Sequence, residues 1–319
     1  HRGPQFWGQH PYFGFVGRPY PLRPRTEVQV NAELFAPERH GDSDSVEGMA
    51  DFAVNVREGP PKFVFDALAA RLPDLARYPT TGDEARAVAA IAAAHERPAA
   101  EILLLSGAAE GFELLPRLGI RHAALIQPSF TEPEIALRAA GVPITQVVLD
   151  RPWRLDTEDI ARRIPDAADL VLLGNPTNPT SVLHPVATIE ALRAPGRLVV
   201  VDEAFADLTL DAVAGEREPE SVASRRWPDV IVLRSITKAF GLAGLRAGYL
   251  LASPQIIERL SVGRRPWALG TLSLVALAEC VGERGQAYCD EVATRVVAQR
   301  THLLAGLRDI GIEPAVEPD

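Results

Sequence analysis

The stretch "RSITKAFGLAGLRAGYLLA", residues 234–252, holds one of only two lysines in a chain of 319 residues. The other is Lys62, and every other member of the 33 Lys and Arg side chains is arginine. The heavy use of Ala, Arg, Gly and Pro reads as GC-rich coding, which explains that bias without function. It also makes a surviving lysine informative. "DVIVLRS" precedes Lys238 and "RAGYLLA" follows it, so the lysine sits in a turn off the end of a predicted strand. A free lysine has a pKa of about 10.4 and is a poor nucleophile at neutral pH unless it is desolvated or converted to an imine. Taken alone, it also reads as an ordinary surface-turn lysine.

Outward from this stretch, short apolar runs recur from residue 101: "EILLL", "HAALIQ", "ITQVVL", "DLVLLG", "LVVVDEA", "DVIVLRS" and "RAGYLLA". Most are continuous rather than alternating, which suits strands buried on both faces. Stretches with helical spacing lie between many of them, such as "TEPEIALRAAG" and "TEDIARRI". This alternation predicts an α/β sheet covered by helices on both sides. The last two runs have no long helix between them, which predicts an antiparallel edge. Residues 62–72 and 83–95 read as helices, with "ARYPTTGD" as a loop ending in an N-cap. Residues 254–310 read as mostly helical.

Three polar clusters fall at predicted strand ends, where open α/β sheets bind ligands. They are "GNPTNPT", "DEAF" and "SITK". Asp202 follows three valines, and an acid there needs a partner. It reads either as a cap or salt bridge, or as a carboxylate held for a cationic ring nitrogen. Ser235, Thr237 and Arg246 suit a phosphate, with glycines that let the backbone close around the ligand. The turn "SGAAEG" (106–111) opens a helix whose amides suit the same anion, although such a turn is more often only a turn. A lysine for an imine, an acid for a pyridinium and donors for a phosphate together describe a pyridoxal 5′-phosphate site.

At these residues the sequence resembles the class I/II pyridoxal-phosphate aminotransferases. "SITKAFGLAGLRAG" resembles the family's lysine signature. "NPTNPT" resembles its "NPxNPTG", with Ser181 in place of the usual glycine, and "DEAF" resembles its "DEAY". "YPTTG" is similar to its "YPD" turn, and "SGAAEGFELL" to the phosphate-binding helix start of histidinol-phosphate aminotransferases. The resemblance implies fold type I: a seven-stranded, mixed but mainly parallel sheet flanked by helices, plus a partial small α/β domain. It implies that Lys238 carries the cofactor and moves the substrate proton, that Asp202 pairs with the ring nitrogen, and that Asn178 bonds the ring O3′. Ser235, Thr237, Arg246 and the backbone of Gly107, Ala108, Ala109 and Glu110 would hold the phosphate. Phe130 would stack on the ring, Phe205 would stand where the histidinol-phosphate type has tyrosine, and Tyr78 would reach the cofactor of a second subunit. A homodimer with shared active sites is therefore implied. His40, Asn55 and Arg265 are candidate substrate contacts, while Arg264 and Arg265 also read as solvated helix-end charges.

Two branches of the family compete. Histidinol-phosphate aminotransferases share the overall motif set and imply histidinol phosphate as donor and 2-oxoglutarate as the oxo-acid acceptor. Threonine-phosphate decarboxylases of cobalamin biosynthesis also look close: "RHGD" resembles their "HGGN", "DEAF" has their Phe, and "RRPWALGTL" resembles their "PWSVN" segment. Both act on a phosphorylated amino substrate. A third reading is a cofactor-binding chain with weak catalysis. Family members normally continue past "GIEPAVEPD" with a sheet and an arginine for the substrate's anionic group. The expected organisation is an N-terminal arm (1–55), a large cofactor-binding domain (56–260) and the start of an incomplete small domain (261–319). Beginning at His rather than Met, the chain reads as a fragment or processed form.

The net charge of −9 argues against nucleic acid as a partner, since phosphate backbones need a basic face. No apolar run has the length of a membrane span, and no metal site is expected. Two cysteines, Cys280 and Cys289, in a helix-like stretch read as packing residues rather than a disulfide framework. A reducing, cytoplasmic location follows as the expectation.

Overall fold

The computed structural model describes residue 48 and residues 54–314. In chain order, α1 (Lys62–Ala70) and α2 (Thr81–His95) precede β1 (Ile102–Leu105), α3 (Ala108–Leu114), β2 (Ala123–Gln127) and α4 (Glu132–Ala139). Next come β3 (Ile144–Val148), α5 (Thr157–Arg163), β4 (Leu170–Gly174), α6 (Val186–Leu192) and β5 (Leu198–Asp202). A short hairpin, β6 (Leu210–Asp211) and β7 (Glu216–Arg217), leads to β8 (Val230–Ser235), α7 (Thr237–Phe240) and β9 (Gly248–Leu251). The helices α8 (Pro254–Ser261), α9 (Thr271–Val281) and α10 (Glu283–Asp309) follow. Among the described residues no helix is long and apolar enough to cross a membrane.

All seven apolar runs become strands of one sheet, ordered β1-β9-β8-β5-β4-β2-β3. The pairs β3–β2, β2–β4, β4–β5 and β5–β8 are parallel. One strand, β9, runs antiparallel to both its neighbours, β8 and β1. The antiparallel strand therefore lies inside the sheet and not at its edge. The chain turns straight back after β8 through the lysine turn, and β1 then pairs along the outer side of β9, taking the edge position.

The continuous runs reflect two-sided burial. Every residue of β4 and β8 is buried, whereas the edge strand β3 is mostly partly exposed. On one face α1, α2 and α9 supply Val64, Ile91 and Leu277 against Val199, Val201 and Val232. On the other, α3, α4 and α8 supply Phe112, Leu137 and Leu260 against Val200, Ile231 and Leu233. The "YPTTGD" loop ends at the expected cap: Thr80 Oγ1 accepts the Asp83 amide at 3.1 Å, and the Asp83 carboxylate accepts back from the Thr80 amide in a capping box. Cys280 and Cys289 are buried and unpaired between helices.

Candidate active site

Strand ends position the site. A single cleft at the C-terminal ends of β4, β5 and β8 is lined by Gly107, Ala108, Ala109, Phe130, Asn178, Asp202, Phe205, Ser235, Thr237, Lys238 and Arg246. Open α/β sheets leave such a crevice where the loops after adjacent strands part.

Lys238 lies on the single-turn helix α7, immediately after β8. Its Nζ stands 5.4 Å from the centre of the Phe205 ring. Withdrawal from water lowers the pKa of this amine, partly offset by the Asp202 carboxylate, with the Arg246 charge lowering it further. A desolvated lysine is more readily neutral and hence nucleophilic. Asp202 closes β5. Burial pushes its carboxyl up to about 6, opposed by the Ala204 amide, which donates to it at 3.1 Å. The negative charges of Glu203 and Glu132 act in the same direction as burial, and the Lys238 charge opposes them. Such a carboxylate calls for a cationic partner in the cleft.

The end of the cleft expected to take the phosphate is built by close approach. Gly107 has φ +80°, and a Cβ there would stand 2.9 Å from Nη2 of Arg246. Arg246 is itself held in the left-handed region, at φ +54°. A Cβ on Gly248 would meet the Ala108 amide nitrogen at 3.0 Å, so the glycine lets β9 run against the turn that begins α3. The glycines of the opening stretch thus make room mainly for protein backbone. Gly241 approaches the carbonyl of Arg57 and the backbone of Gly59, and Gly244 meets nothing within 4 Å. Ser235 Oγ accepts the Thr237 amide at 3.2 Å, which fixes the hydroxyl at the start of the lysine turn.

The two asparagines of "NPTNPT" divide their work. Asn175 is buried and locks the loop, donating to His184 O at 3.0 Å and accepting the His184 amide at 2.7 Å. Asn178 faces the cleft. Ser181, at the usual glycine position, has φ +61°.

Other expected residues lie elsewhere. Glu110 is outside the cleft lining. Its amide donates to Gly107 O at 3.2 Å, and its carboxylate accepts the Ser106 amide at 2.6 Å. That carboxylate also receives a bidentate pair from Arg264, at 2.9 and 2.7 Å. Arg264 is therefore not a solvated helix-end charge but a latch on the 106–110 turn. Arg265 lines a separate hollow with Thr80 and Trp267. Asn55 lines a neighbouring hollow that shares Asn178 and Phe205 with the cleft. Tyr78 is 73% exposed and stacks on Trp267 at 4.3 Å, away from the cleft of its own chain. His40 lies outside the described residues. Ser129 and Glu132 also line the cleft. Their signal in the sequence was the segment "PSFTEP", of which only Phe130 was singled out.

The donor set suits pyridoxal phosphate: an amine and a carboxylate at one end, and at the other a guanidinium pressed against a glycine whose φ of +80° disfavours any larger residue. Known proteins agree. The family described as "Aminotransferase class I and II" matches residues 48–318. A histidinol-phosphate aminotransferase of Mycobacterium tuberculosis is 52% identical over 281 residues, which span 88% of this chain and 74% of the relative. The crystal structure of the histidinol-phosphate aminotransferase from Clostridium acetobutylicum aligns with a TM-score of 0.72 at 25% identity, covering 82% of this chain and 78% of that one. That of L-threonine-O-3-phosphate decarboxylase from Porphyromonas gingivalis aligns at 0.68 and 20% identity, covering 82% and 77%, and shares the fold. A sheet of this order, this family match and a relative of this identity lead to one conclusion: the chain belongs to the class I and II aminotransferases, enzymes of fold type I that depend on pyridoxal phosphate.

Proposed function

We propose that this chain is a histidinol-phosphate aminotransferase with 2-oxoglutarate as the amino acceptor. The observation that carries the reading is the 52% identity to a protein of that name. When bound, pyridoxal phosphate supplies an electron sink that weakens the Cα–H bond of an amino substrate. Lys238 would hold the cofactor and, as a free amine, would take and return the substrate Cα proton. Asp202 would keep the ring nitrogen protonated, and Asn178 would orient the ring through O3′. Gly107, Ala108, Ala109, Ser235, Thr237 and Arg246 would bind the phosphate, with Phe130 and Phe205 excluding water around the ring. Asn55, Arg265 and His40 are the proposed substrate contacts.

A homodimer is part of this reading. Tyr78 is exposed outside its own cleft, and Phe65, Leu72, Leu75 and Trp267 add exposed apolar surface. A cytoplasmic location suits the two unpaired buried cysteines.

Phe205 in the cleft favours a second reading, because the decarboxylase branch also has Phe at that place. One assay separates the two. Protein loaded with pyridoxal phosphate is given histidinol phosphate and 2-oxoglutarate, and glutamate is measured. Glutamate formation supports the transaminase. Carbon dioxide from threonine phosphate without an oxo acid selects the lyase, and turnover of neither removes both.

A further inference from the structure

Behind the cleft, on the opposite face of the sheet, lies a buried ionic cluster that the proposed chemistry does not use. Side chains alternate along a strand. Asp202 and Ser235 face the cleft, so their neighbours Glu203 and Arg234 point to the rear. Both are fully buried, with side-chain exposures of 0% and 2%. Arg234 Nη1 donates to Glu203 at 3.0 Å and to Glu218 at 2.6 Å. Its Nη2 donates to Asp207 at 2.9 Å and to Glu218 at 3.0 Å. Glu203 is held from its other side by the Val222 amide and the Ser221 hydroxyl, both at 2.7 Å.

One guanidinium therefore joins the two pieces of chain that carry these cleft residues, 202–207 and 234–238, and ties both to Glu218. Glu203 follows Asp202. Asp207 lies in the turn two residues after Phe205. Arg234 itself precedes Ser235 and Lys238. The β5–β8 register ends at Asp202–Leu233, followed by the Glu203 amide donating to Leu233 O at 2.9 Å. The ladder thus stops where the cofactor residues begin, and past that point the ion pair is the link between the two strand ends.

Burial stability alone is a weak reason for such a group, since apolar residues of like volume commonly serve as well or better. Among the described residues, Arg234 Nε is the one buried side-chain nitrogen or oxygen with no hydrogen-bond partner. The guanidinium is placed to meet the three carboxylates, at the expense of its fifth donor.

We propose that Arg234 is a positioning residue, which through Glu203 and Asp207 fixes the separation of Asp202 from Ser235 and Lys238 and so the seat of the cofactor ring. This rests on the reading of Asp202 and Lys238 as cofactor ligands. The comparison is between Glu203→Gln and Glu101→Gln. Glu101 belongs to a second buried pair, with Arg97, at side-chain exposures of 6% and 1%, before β1 and outside the cleft lining. Three quantities are read: the unfolding midpoint of the cofactor-free chain, the dissociation constant for pyridoxal phosphate, and the induced circular dichroism of the bound cofactor at saturation.

Both variants lower the unfolding midpoint. Only Glu203→Gln raises the dissociation constant, by about tenfold or more, and changes the circular dichroism. Wild-type affinity and dichroism in Glu203→Gln, or equal changes in Glu101→Gln, overturn the positioning role. If Glu203→Gln does not fold, Arg234→Lys, which keeps the charge and loses the fork, carries the same expectations and the same refutation. Wild-type protein that binds no pyridoxal phosphate overturns the functional reading instead, an outcome distinct from the other two.

Discussion

The α-carbon of Gly107 and the guanidinium of Arg246 stand so close that a single added methyl on the glycine would lie 2.9 Å from Nη2. Gly107 also has φ +80° and ψ 158°, a region open essentially to glycine alone. Gly107→Ala therefore adds about 1–3 kcal/mol of backbone strain and moves the arginine. The expected outcome is a pyridoxal phosphate dissociation constant raised by about tenfold or more, measured by titrating the cofactor-free protein. Unchanged affinity would show that the contact does not shape the phosphate seat.

Lys238 is desolvated in the cleft, whereas the Lys62 side chain is 82% exposed and pairs with Asp66 at 2.7 Å. Lys238→Ala and Lys238→Arg are each expected to abolish the visible absorbance of the lysine-bound cofactor and the activity with it. Lys62→Arg retains both. An absorbance band that persists without Lys238 would remove that lysine from the mechanism.

Asp202 carries a trade-off between stability and binding. Its carboxyl sits at about 6 in the folded chain against 3.8 for an ordinary aspartate, so the folded state binds the proton more tightly. The destabilisation is absent below about pH 4, grows as pH rises through 6, and is complete above it. Two units correspond to about 3 kcal/mol. Asp202→Asn is expected to stabilise the cofactor-free chain by an amount of that order at pH 7.5 and by far less at pH 4, in urea unfolding. With Asp202 as the proposed anionic partner of the ring nitrogen, the same change is expected to weaken pyridoxal phosphate binding.

Ser181 holds φ +61°, a conformation that favours glycine. A left-handed L-residue costs about 1–2 kcal/mol, part of which glycine returns through its greater freedom in the unfolded chain. Ser181→Gly is expected to raise stability by about 0.5–1 kcal/mol. A lower urea midpoint in the variant would mean that the Ser181 hydroxyl makes a contact worth more than the strain.

Tyr78 gives a test by mixing. If it serves the cofactor of a second subunit, chains bearing Tyr78→Ala and chains bearing Lys238→Ala are each weak alone. Mixed after mild unfolding, they form hybrid dimers with one intact site and recover part of the wild-type rate. No recovery, with hybrid formation verified by mass, would place Tyr78 in its own chain's chemistry or in none.

Much of this structure was open to a reader of the sequence, for a physical reason. Strands buried on both faces have few polar positions, so "DLVLL" and "LVVVD" announce themselves. The candidate cofactor residues were legible as a group because they follow those strands in short turns of unusual composition, and one cleft gathers most of them. The antiparallel strand was legible in direction and not in place, since position depends on β1, which lies far away in the chain. The Arg264–Glu110 latch and the Arg234 cluster were hidden for the same reason: their partners meet only after the sheet forms. Arg234 did leave a trace. A guanidinium within "VIVLRS" calls for a buried acid, and "DEAF", "ADL" and "GERE" supply the three that hold it.

The position of β9 between β1 and β8 bears on how the protein is made. The proposed phosphate seat has one wall at Gly107, early in the chain, and the other at Arg246, just before β9, and the two meet only when β9 slots between its neighbours. In a chain made from its N-terminus, the first wall is therefore expected to lack its partner until β9 has been made. Cofactor capture is then expected to be a late event, and a nascent chain arrested before β9 is expected to retain no cofactor however long it is incubated with it.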